Sequence, residues 1–254
     1  FEANKRLLIV PSLQDIMLHN AIQTHVGDSL VYLMKNKVTA FNLEQLFIKR
    51  IMDITVSGIG IILTAPIMLI TALFIKLEDG GPVFFLQERY TRNKKPFRVI
   101  KFRSMVVDAE KKGTSYTLEN DDRITKVGRV IRKFRIDELP QLFNILKGDM
   151  ALVGPRPESK ELFSTYCNNM PEFEYRLKVK AGLTGYAQVY GKANTSFEDK
   201  IKMDLYYIES SSLLMDLRLL AGTLKILFSK ESTEGFASEK ENPPIKKLEK
   251  NTSG

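Results

Sequence analysis

The sequence predicts an α/β fold that is rich in helices and is anchored in a membrane by one long apolar helix. Residues 54–75 are 22 consecutive residues without a charge. Residues 83–87 and 97–102 have the composition of two strands joined by a basic turn, which predicts a small β-hairpin. Residues 125–134 and 197–228 repeat apolar side chains at helical spacing, which predicts amphipathic helices that lie on a core or in the membrane interface.

The composition indicates an anionic partner and a reducing compartment. The chain has 254 residues and a formal net charge of +8, which suits nucleic acid, a phosphorylated ligand or an acidic lipid surface. Its sole cysteine, Cys167, cannot form an internal disulfide. The two histidines, His19 and His25, lie far upstream of the charged cluster described below, so we expect no structural zinc site.

Residues 1–40 are interpreted as the end of a truncated nucleotide-fold-like domain. Residues 6–10 and 29–33 are typical of short buried strands, and residues 15–24 of a helix between them. A small capping element without a function of its own is the alternative. Because the chain begins at Phe1, we expect it to start inside a longer protein or to be processed.

Residues 41–77 predict a linker helix that continues into a membrane helix. Asn42 and Gln45 have the spacing of a capping box. At about 1.5 Å per residue, the apolar run reaches roughly 33 Å, enough to cross a hydrocarbon core. Pro66 removes a backbone donor near the middle of the run and predicts a kink, and Thr64 is placed to satisfy the carbonyl that Pro66 frees.

The charges that flank this run bear on its topology. Lys49 and Arg50 precede it and Lys76 follows it. Basic residues prefer the cytoplasmic side, so the two basic ends favour a re-entrant helix that returns to the side it entered over a spanning one. A buried helix of a soluble core is the third interpretation.

A dense basic segment precedes two adjacent acids, Asp137 and Glu138. Residues 123–135 carry six basic side chains and no acid. Asp137 is predicted to cap a helix that Gly148 ends, and an acid there is held as a carboxylate, as a nucleophile toward phosphorus requires. Two neighbouring acids can also hold Mg²⁺. The alternative is that Asp137 only caps the helix and Glu138 only pairs with Arg135.

Candidate phosphate ligands surround these acids. Two prolines fix the backbone on both sides of Arg156, which presents its guanidinium at low entropic cost. Lys101 and Arg103 follow a predicted strand and offer a second basic pair. Residues 182–185, Gly-Leu-Thr-Gly, are interpreted as a tight turn that lacks the spacing of a phosphate-binding loop.

The end of the chain divides into a helical part and a tail. The helical part, residues 197–228, carries a leucine stripe that suits either core packing or the membrane interface. Residues 231–254 are rich in Lys, Glu, Ser and Pro and predict a disordered tail.

Four motifs resemble the bacterial polyprenyl-phosphate sugar-1-phosphate transferases, the monotopic phosphoglycosyl transferases. They are GGPVFFLQER at 80–89, KFRSM at 101–105, DDRITKVGRVIRKFRIDELPQLFNILKGDMALVGPRPE at 121–158 and AGLTGYAQV at 181–189. The resemblance implies that residues 78–230 form the catalytic domain.

The family's reaction would proceed in two steps. Asp137 would attack the β-phosphate of a UDP-sugar, releasing UMP and leaving a covalent aspartyl sugar phosphate. Polyprenyl (undecaprenyl) phosphate would then accept the group. Glu138 would act as Mg²⁺ partner or base, and Arg156, with Lys101, Arg103 or Arg135, would clamp phosphates.

The resemblance also implies a place in the cell. We expect the bacterial inner membrane, an active site on its cytoplasmic face, and the first membrane step of exopolysaccharide, capsule or O-antigen synthesis. A monomer and a homodimer both remain open, and no nucleic acid is expected because a membrane helix disfavours a nucleic-acid binder. The rival function is a catalytically silent membrane-bound interaction module.

Two positions depart from the family's pattern. Ala65-Pro66 stands where the family has Ser-Pro, so the helix break must rest on Pro66 and Thr64. Ala181 stands where the family has proline in Lys-Pro-Gly, which loosens that turn without removing a catalytic group.

Overall fold

The computed structural model describes residues 11–19, 21–26, 29–33, 41–109, 121–191 and 195–227. The predicted strand at 6–10 and the predicted tail at 231–254 lie outside the described residues.

Helices dominate the described residues, in agreement with the predicted helix-rich α/β class. The strands pair two by two: β1 with β2 and β3 with β4 are antiparallel, and β5 with β6 is parallel. The helices are α1 (Leu13–Met17), α2 (Leu43–Asp79), α3 (Lys126–Lys133), α4 (Gln141–Lys147), α5 (Lys160–Asn169), α6 (Tyr186–Tyr190), α7 (Phe197–Ser210) and α8 (Leu213–Leu227). The strands are β1 (Ile22–Val26), β2 (Ser29–Leu33), β3 (Phe84–Thr91), β4 (Lys95–Phe102), β5 (Ala151–Val153) and β6 (Gly182–Thr184), and 3₁₀ helices lie at Arg92–Lys94, Ile136–Glu138 and Pro171–Lys178.

The first described elements differ from the predicted strand-helix-strand order. The strand at 29–33 is confirmed, but the helix predicted over 15–24 is wrong beyond Met17, where α1 ends. Residues 22–26 instead form β1, which pairs antiparallel with β2. β-Branched residues alternate through β1, and this pattern favours a strand over a helix.

The long helix α2 begins with the predicted capping box. The Asn42 side chain accepts a hydrogen bond from the Gln45 N–H at 2.8 Å, and the Gln45 side chain accepts one from the Asn42 N–H at 3.1 Å. The helix continues through Pro66 to Asp79, and the predicted kink stays a prediction. The Thr64 hydroxyl donates to the Gly60 carbonyl at 2.7 Å, so the prediction that Thr64 satisfies the carbonyl freed by Pro66 is wrong.

One side of α2 is exposed and apolar. Among the described residues, α2 is the one helix long and apolar enough to cross a membrane, with a mean hydropathy of 2.4 and 17% of its most apolar stretch buried. Its opposite side packs on the folded body, where Met68 and Ile75 meet Phe102 and Ile131. The exposed apolar side chains include Ile59, Ile62, Leu63, Ile67, Leu69, Ile70, Leu73 and Phe74.

The start of α2 is bonded to the folded body by two cations. The Lys49 ammonium donates to the buried Asp216 carboxylate and, at 3.1 Å, to the Val153 carbonyl. The Arg50 guanidinium donates at 2.8 Å to each of the last carbonyls of α4, those of Ile145 and Leu146. A cation at a helix C-terminus is favourable because the helix dipole is negative there.

The end of α2 is bonded to the same body. The Asp79 carboxylate receives two hydrogen bonds of 2.5 Å from the Arg103 guanidinium, which also donates to the Pro82 carbonyl at 2.6 Å. Glu78 accepts the Lys126 N–H at 2.8 Å and so caps α3. Both ends of α2 therefore belong to one folded body.

The predicted β-hairpin is confirmed, and α4 is attached to its outer edge. The Asn144 side-chain oxygen accepts the Ile100 N–H at 2.9 Å, and its amide donates to the Arg98 carbonyl at 2.8 Å. Asn144 thus replaces the partner that a third strand would provide. Around it lies the main core, which includes Val99, Ile145, Leu152, Phe173 and Ile208.

We expect Asn144→Leu to lower the free energy of unfolding by about 2 kcal/mol, since it leaves the Ile100 N–H and the Arg98 carbonyl without partners. Asn169→Leu is the matched control because it removes an exposed Asn side chain that donates to the Thr165 carbonyl within α5, and it should cost less. Denaturant unfolding in detergent measures both. Equal stability of Asn144→Leu and the unsubstituted protein would contradict this role.

Candidate active site

The two acids predicted from the sequence lie in a 3₁₀ turn between α3 and α4. Arg135 enters the turn with a left-handed backbone, φ 54°. Asp137 and Glu138 follow, and α4 begins after Pro140. The prediction that Asp137 caps this helix is therefore wrong, because Pro140 occupies the cap position. The predicted end at Gly148 is confirmed, with a left-handed φ of 97°.

Glu138 is a half-buried carboxylate held between two cations. The Arg156 guanidinium donates to it at 2.5 Å, and the Lys101 ammonium lies 3.3 Å away. Burial opposes the charge on Glu138, but Arg156 and Lys101 outweigh it and hold the pKa of Glu138 well below its usual range. The pKa of Arg156 is raised, chiefly by Glu138. Burial lowers the pKa of Lys101 to about 8.

The neighbouring Asp137 has a different environment. Burial and the adjacent Glu138 charge raise the pKa of Asp137 to about 6, against the opposing effect of Lys101, Arg132 and Arg156. Within the described part of the chain, no hydrogen bond or ion pair engages its carboxylate. At pH 7 the site therefore contains one carboxylate fixed by cations and one that is free to react.

The turn that carries Arg156 follows the parallel pair of strands. β5 runs directly into Gly154, Pro155 and Arg156, and β6 supports it from the side. Residues 182–184 form β6, so the prediction of a tight turn there is wrong. A Cβ atom at Gly182 would overlap the backbone of Gly154, so only glycine permits this close approach.

The structure separates the predicted basic residues into two groups. Lys101 and Arg156 contact Glu138, and the charge of Arg135 also acts on Glu138. Arg103 is buried and pairs with Asp79 at the end of α2. This geometry gives no support to the prediction that Arg103 helps to clamp phosphates.

Two further cations, which the sequence analysis did not single out, act on residues of the site. The Arg132 charge acts on Asp137, and the Arg89 charge acts on Lys101. Arg132 belongs to the basic segment 123–135 that directly precedes the two acids, and this closeness in sequence is the signal that could have found it. Arg89 lies in β3, and nothing local in the sequence indicates that it lies near residue 101.

The donor set fits one kind of Mg²⁺ site. No group of three or more His, Cys, Asp and Glu side chains that could hold a metal ion occurs in the described residues. The Glu138 oxygens are engaged by cations, whereas those of Asp137 have no hydrogen-bond partner among the described residues. These residues fit an ion bound by one or two carboxylates and otherwise by substrate phosphates, the usual form of Mg²⁺ binding.

The sequence of this site matches a known family. The family model described as "Bacterial sugar transferase" matches residues 44–230, from the start of α2 to beyond α8. The chain belongs to the bacterial sugar transferase family.

Curated proteins agree with this membership. The chain is 46% identical over 186 residues to a UDP-N-acetylgalactosamine-undecaprenyl-phosphate N-acetylgalactosaminephosphotransferase of Aeromonas hydrophila, covering 72% of this chain and 44% of that protein. It is 33% identical over 243 residues to the undecaprenyl-phosphate galactose phosphotransferase of Salmonella typhimurium, covering 89% and 50%.

A third relative is shorter. The chain is 38% identical over 189 residues to a UDP-glucose:undecaprenyl-phosphate glucose-1-phosphate transferase of Caulobacter vibrioides, covering 72% of this chain and 71% of that one. Against the other two relatives this bacterial sugar transferase chain spans about half the length, 44% and 50%.

We expect Asp137→Asn to stabilise the fold at neutral pH. A carboxyl whose pKa is raised from 3.8 to about 6 binds its proton more tightly in the folded state. Its contribution to stability is therefore full below pH 3.8 and is lost as the pH rises to about 6. One pKa unit corresponds to about 1.4 kcal/mol, so a rise of the pKa from 3.8 to about 6 predicts a gain of about 3 kcal/mol for the variant at pH 7.

Thermal unfolding of both proteins from pH 3.5 to 7.5 measures this difference. The two proteins should converge at the acidic end. A difference that is independent of pH would mean that Asp137 titrates normally. Asp149→Asn, at a partly exposed carboxylate paired with Lys147, is the control.

Proposed function

We propose that this protein transfers sugar-1-phosphate from a UDP-sugar to polyprenyl (undecaprenyl) phosphate and releases UMP. Family membership and the printed names of the relatives support this reaction class. Those names differ in the sugar, which is N-acetylgalactosamine, galactose or glucose, so the donor sugar is not part of the proposal.

The first step is an attack by Asp137 on the donor. A carboxylate oxygen of Asp137 forms a bond to the β-phosphorus, and the bond from that phosphorus to the bridging oxygen of UMP breaks. UMP leaves with the electron pair of the broken bond. The sugar phosphate remains on Asp137 as an acyl phosphate.

The second step regenerates the carboxylate. A phosphate oxygen of the lipid forms a bond to the same phosphorus, and the bond to the Asp137 oxygen breaks. The product is a polyprenyl diphosphate sugar. The phosphorus keeps its oxidation state throughout, so no redox partner is needed.

Positive charge supports both steps. The charges of Lys101, Arg156 and Arg132 act on the two acids, and they would neutralise the oxygens of the transferring phosphoryl group. Asp137 and Glu138 would hold Mg²⁺, which would further neutralise the charge of the donor phosphates. Glu138 keeps Lys101 and Arg156 in place, and its low pKa makes it a weaker candidate for a base than for a metal partner.

The observation that carries the proposal is the difference between the adjacent carboxylates. Glu138 is occupied by two cations, so its oxygens are poorly available for attack. The pKa of Asp137, about 6, leaves it ionised near neutrality yet more basic than an ordinary aspartate. Asp137 is therefore assigned as the nucleophile.

We expect UMP release from a UDP-sugar to be lost in Asp137→Asn, by a factor of roughly 10³ or more. Mass spectrometry of the protein quenched without lipid acceptor should find a sugar-phosphate adduct on the peptide that contains Asp137. Glu138→Gln is the comparison: it should be slow and still form the adduct on Asp137. An adduct on another residue, or full-rate release by Asp137→Asn, would disprove this assignment.

We also propose that α2 is a re-entrant membrane helix that holds the site on the cytoplasmic face of the bacterial inner membrane. Lys49 at its start and Asp79 at its end bond to the same folded body. A helix that spanned the bilayer would bring one of these contacts to the opposite side. The exposed side chains along its middle are apolar and suit lipid.

Impermeant maleimide labelling tests this topology. In a Cys167→Ser background, Glu44→Cys and Lys76→Cys place single thiols near the two ends of α2. In inside-out vesicles both should react, and in right-side-out cells neither should. Reaction of the two positions from opposite sides would contradict the re-entrant arrangement.

A further inference from the structure

The Pro155-Arg156-Pro157 turn is held through its carbonyl groups. Proline has no N–H, so this turn has few donors of its own. The Gly182 N–H donates to the Pro155 carbonyl at 2.9 Å, and the Arg176 guanidinium donates to the Arg156 carbonyl at 2.9 Å. The Arg89 guanidinium donates to the Pro157 carbonyl. Each carbonyl of the turn therefore has a donor from a different element.

Of these donors, Arg176 is the most enclosed side chain. It lies in the 3₁₀ helix Pro171–Lys178 and is 8% exposed. Its Nε donates at 2.7 Å to Asp204 of α7, which is 2% exposed. Its guanidinium lies 4.6 Å from the centre of the Phe173 ring. The bond to Asp204 and the contact with the Phe173 ring thus define the direction in which Arg176 points its remaining N–H groups.

The buried ion pair of Arg176 and Asp204 stabilises the core poorly. Burying two charges costs several kcal/mol of desolvation, and apolar residues of similar volume often stabilise a fold better. The second oxygen of Asp204 is buried without a hydrogen-bond partner among the described residues, which adds to the cost. What the pair provides is a directed hydrogen bond to the backbone that carries Arg156.

We propose that Arg176, oriented by Asp204, is a positioning residue that sets the Arg156 guanidinium against Glu138 and the donor phosphates. The inference rests on the proposed function, in which Arg156 binds phosphate. Arg176 acts through the Arg156 carbonyl and does not itself contact the reacting atoms. A guanidinium suits this task because its planar fork serves Asp204 and the carbonyl together, whereas an ammonium presents one point charge.

The test is a double-mutant cycle between Arg176→Lys and Arg156→Ala. Alone, Arg176→Lys should lower kcat/KM for UMP release by on the order of 10- to 100-fold, the effect of a small displacement of a catalytic group. In the Arg156→Ala background the same change should cost less than about 3-fold, because the group it positions is gone. An equal factor in both backgrounds would mean a general structural role and would overturn the proposal.

A second variant keeps the proposal testable if Arg176→Lys does not fold. Asp204→Asn keeps the shape of the acceptor and removes its charge, and it should show the same coupling to Arg156→Ala. Glu174→Gln is the matched control, since it breaks an exposed pair with Lys94 on the same 3₁₀ helix and should leave the rate unchanged. If Glu174→Gln lowered the rate as much as Asp204→Asn, any disturbance of this helix would explain the loss, and the proposal would fail.

Calorimetric binding of UDP separates this inference from the proposed reaction. Arg176→Lys and Arg156→Ala should each weaken UDP binding, and the double variant should be no weaker than Arg156→Ala alone. If UDP binding follows this pattern but no UMP is released, the positioning role is supported and the proposed reaction is wrong. Additive losses of UDP affinity beside normal UMP release would reject the positioning role alone.

Discussion

The site and much of the fold depend on the ion pairs of the half-buried Glu138 carboxylate. An ionised acid inside a folded body is stable only when cations pair with it, and here Lys101, which precedes Glu138 in the sequence, and Arg156, which follows it, do so. Lys101 reaches it from the end of β4, and Arg156 from the turn after β5. The Asn144 bonds that hold α4 to β4 bring the acid to Lys101. Glu138 therefore connects the hairpin, α4 and the parallel strands, and removing either cation would leave its half-buried charge with one partner instead of two.

The membrane helix α2 belongs to the same arrangement. Asp53 on its inner side accepts the Leu152 N–H at 2.9 Å, and Lys49 donates to the carbonyl of the next residue, Val153. One face of α2 thus acts as a polar neighbour of β5, the strand that leads into the Arg156 turn. Its opposite face is exposed and apolar. The polar contacts of α2 therefore connect this long apolar helix directly to the backbone of the candidate site.

Local sequence signals predicted those parts of the structure that local interactions decide. The Asn42 capping box, the basic hairpin turn and the end of α4 at Gly148 follow from neighbouring residues, and all agree with the structure. The prediction of a cap at Asp137 was wrong because Asp137 lies inside a 3₁₀ turn and Pro140 occupies the cap position of α4, which no pattern in that segment indicates. The parallel pairing of β5 with β6 and the pairing of Arg103 with Asp79 join distant residues. Such contacts depend on the tertiary fold, so periodicity and spacing could not reveal them.

The balance of charge around the two acids favours a multiply charged anion as the ligand. Asp137 and Glu138 face the charges of four cations: Lys101, Arg132, Arg135 and Arg156. Glu138 accounts for two of these through direct contact, and Asp137 has a raised pKa even with cations nearby, because burial outweighs their attraction. A diphosphate would bring negative charge that this group of cations attracts. As its charge moves toward the leaving group, the same cations would stabilise the transition state more than the ground state. The unequal carboxylates and the surrounding cations thus support the proposed chemistry, phosphoryl transfer through Asp137.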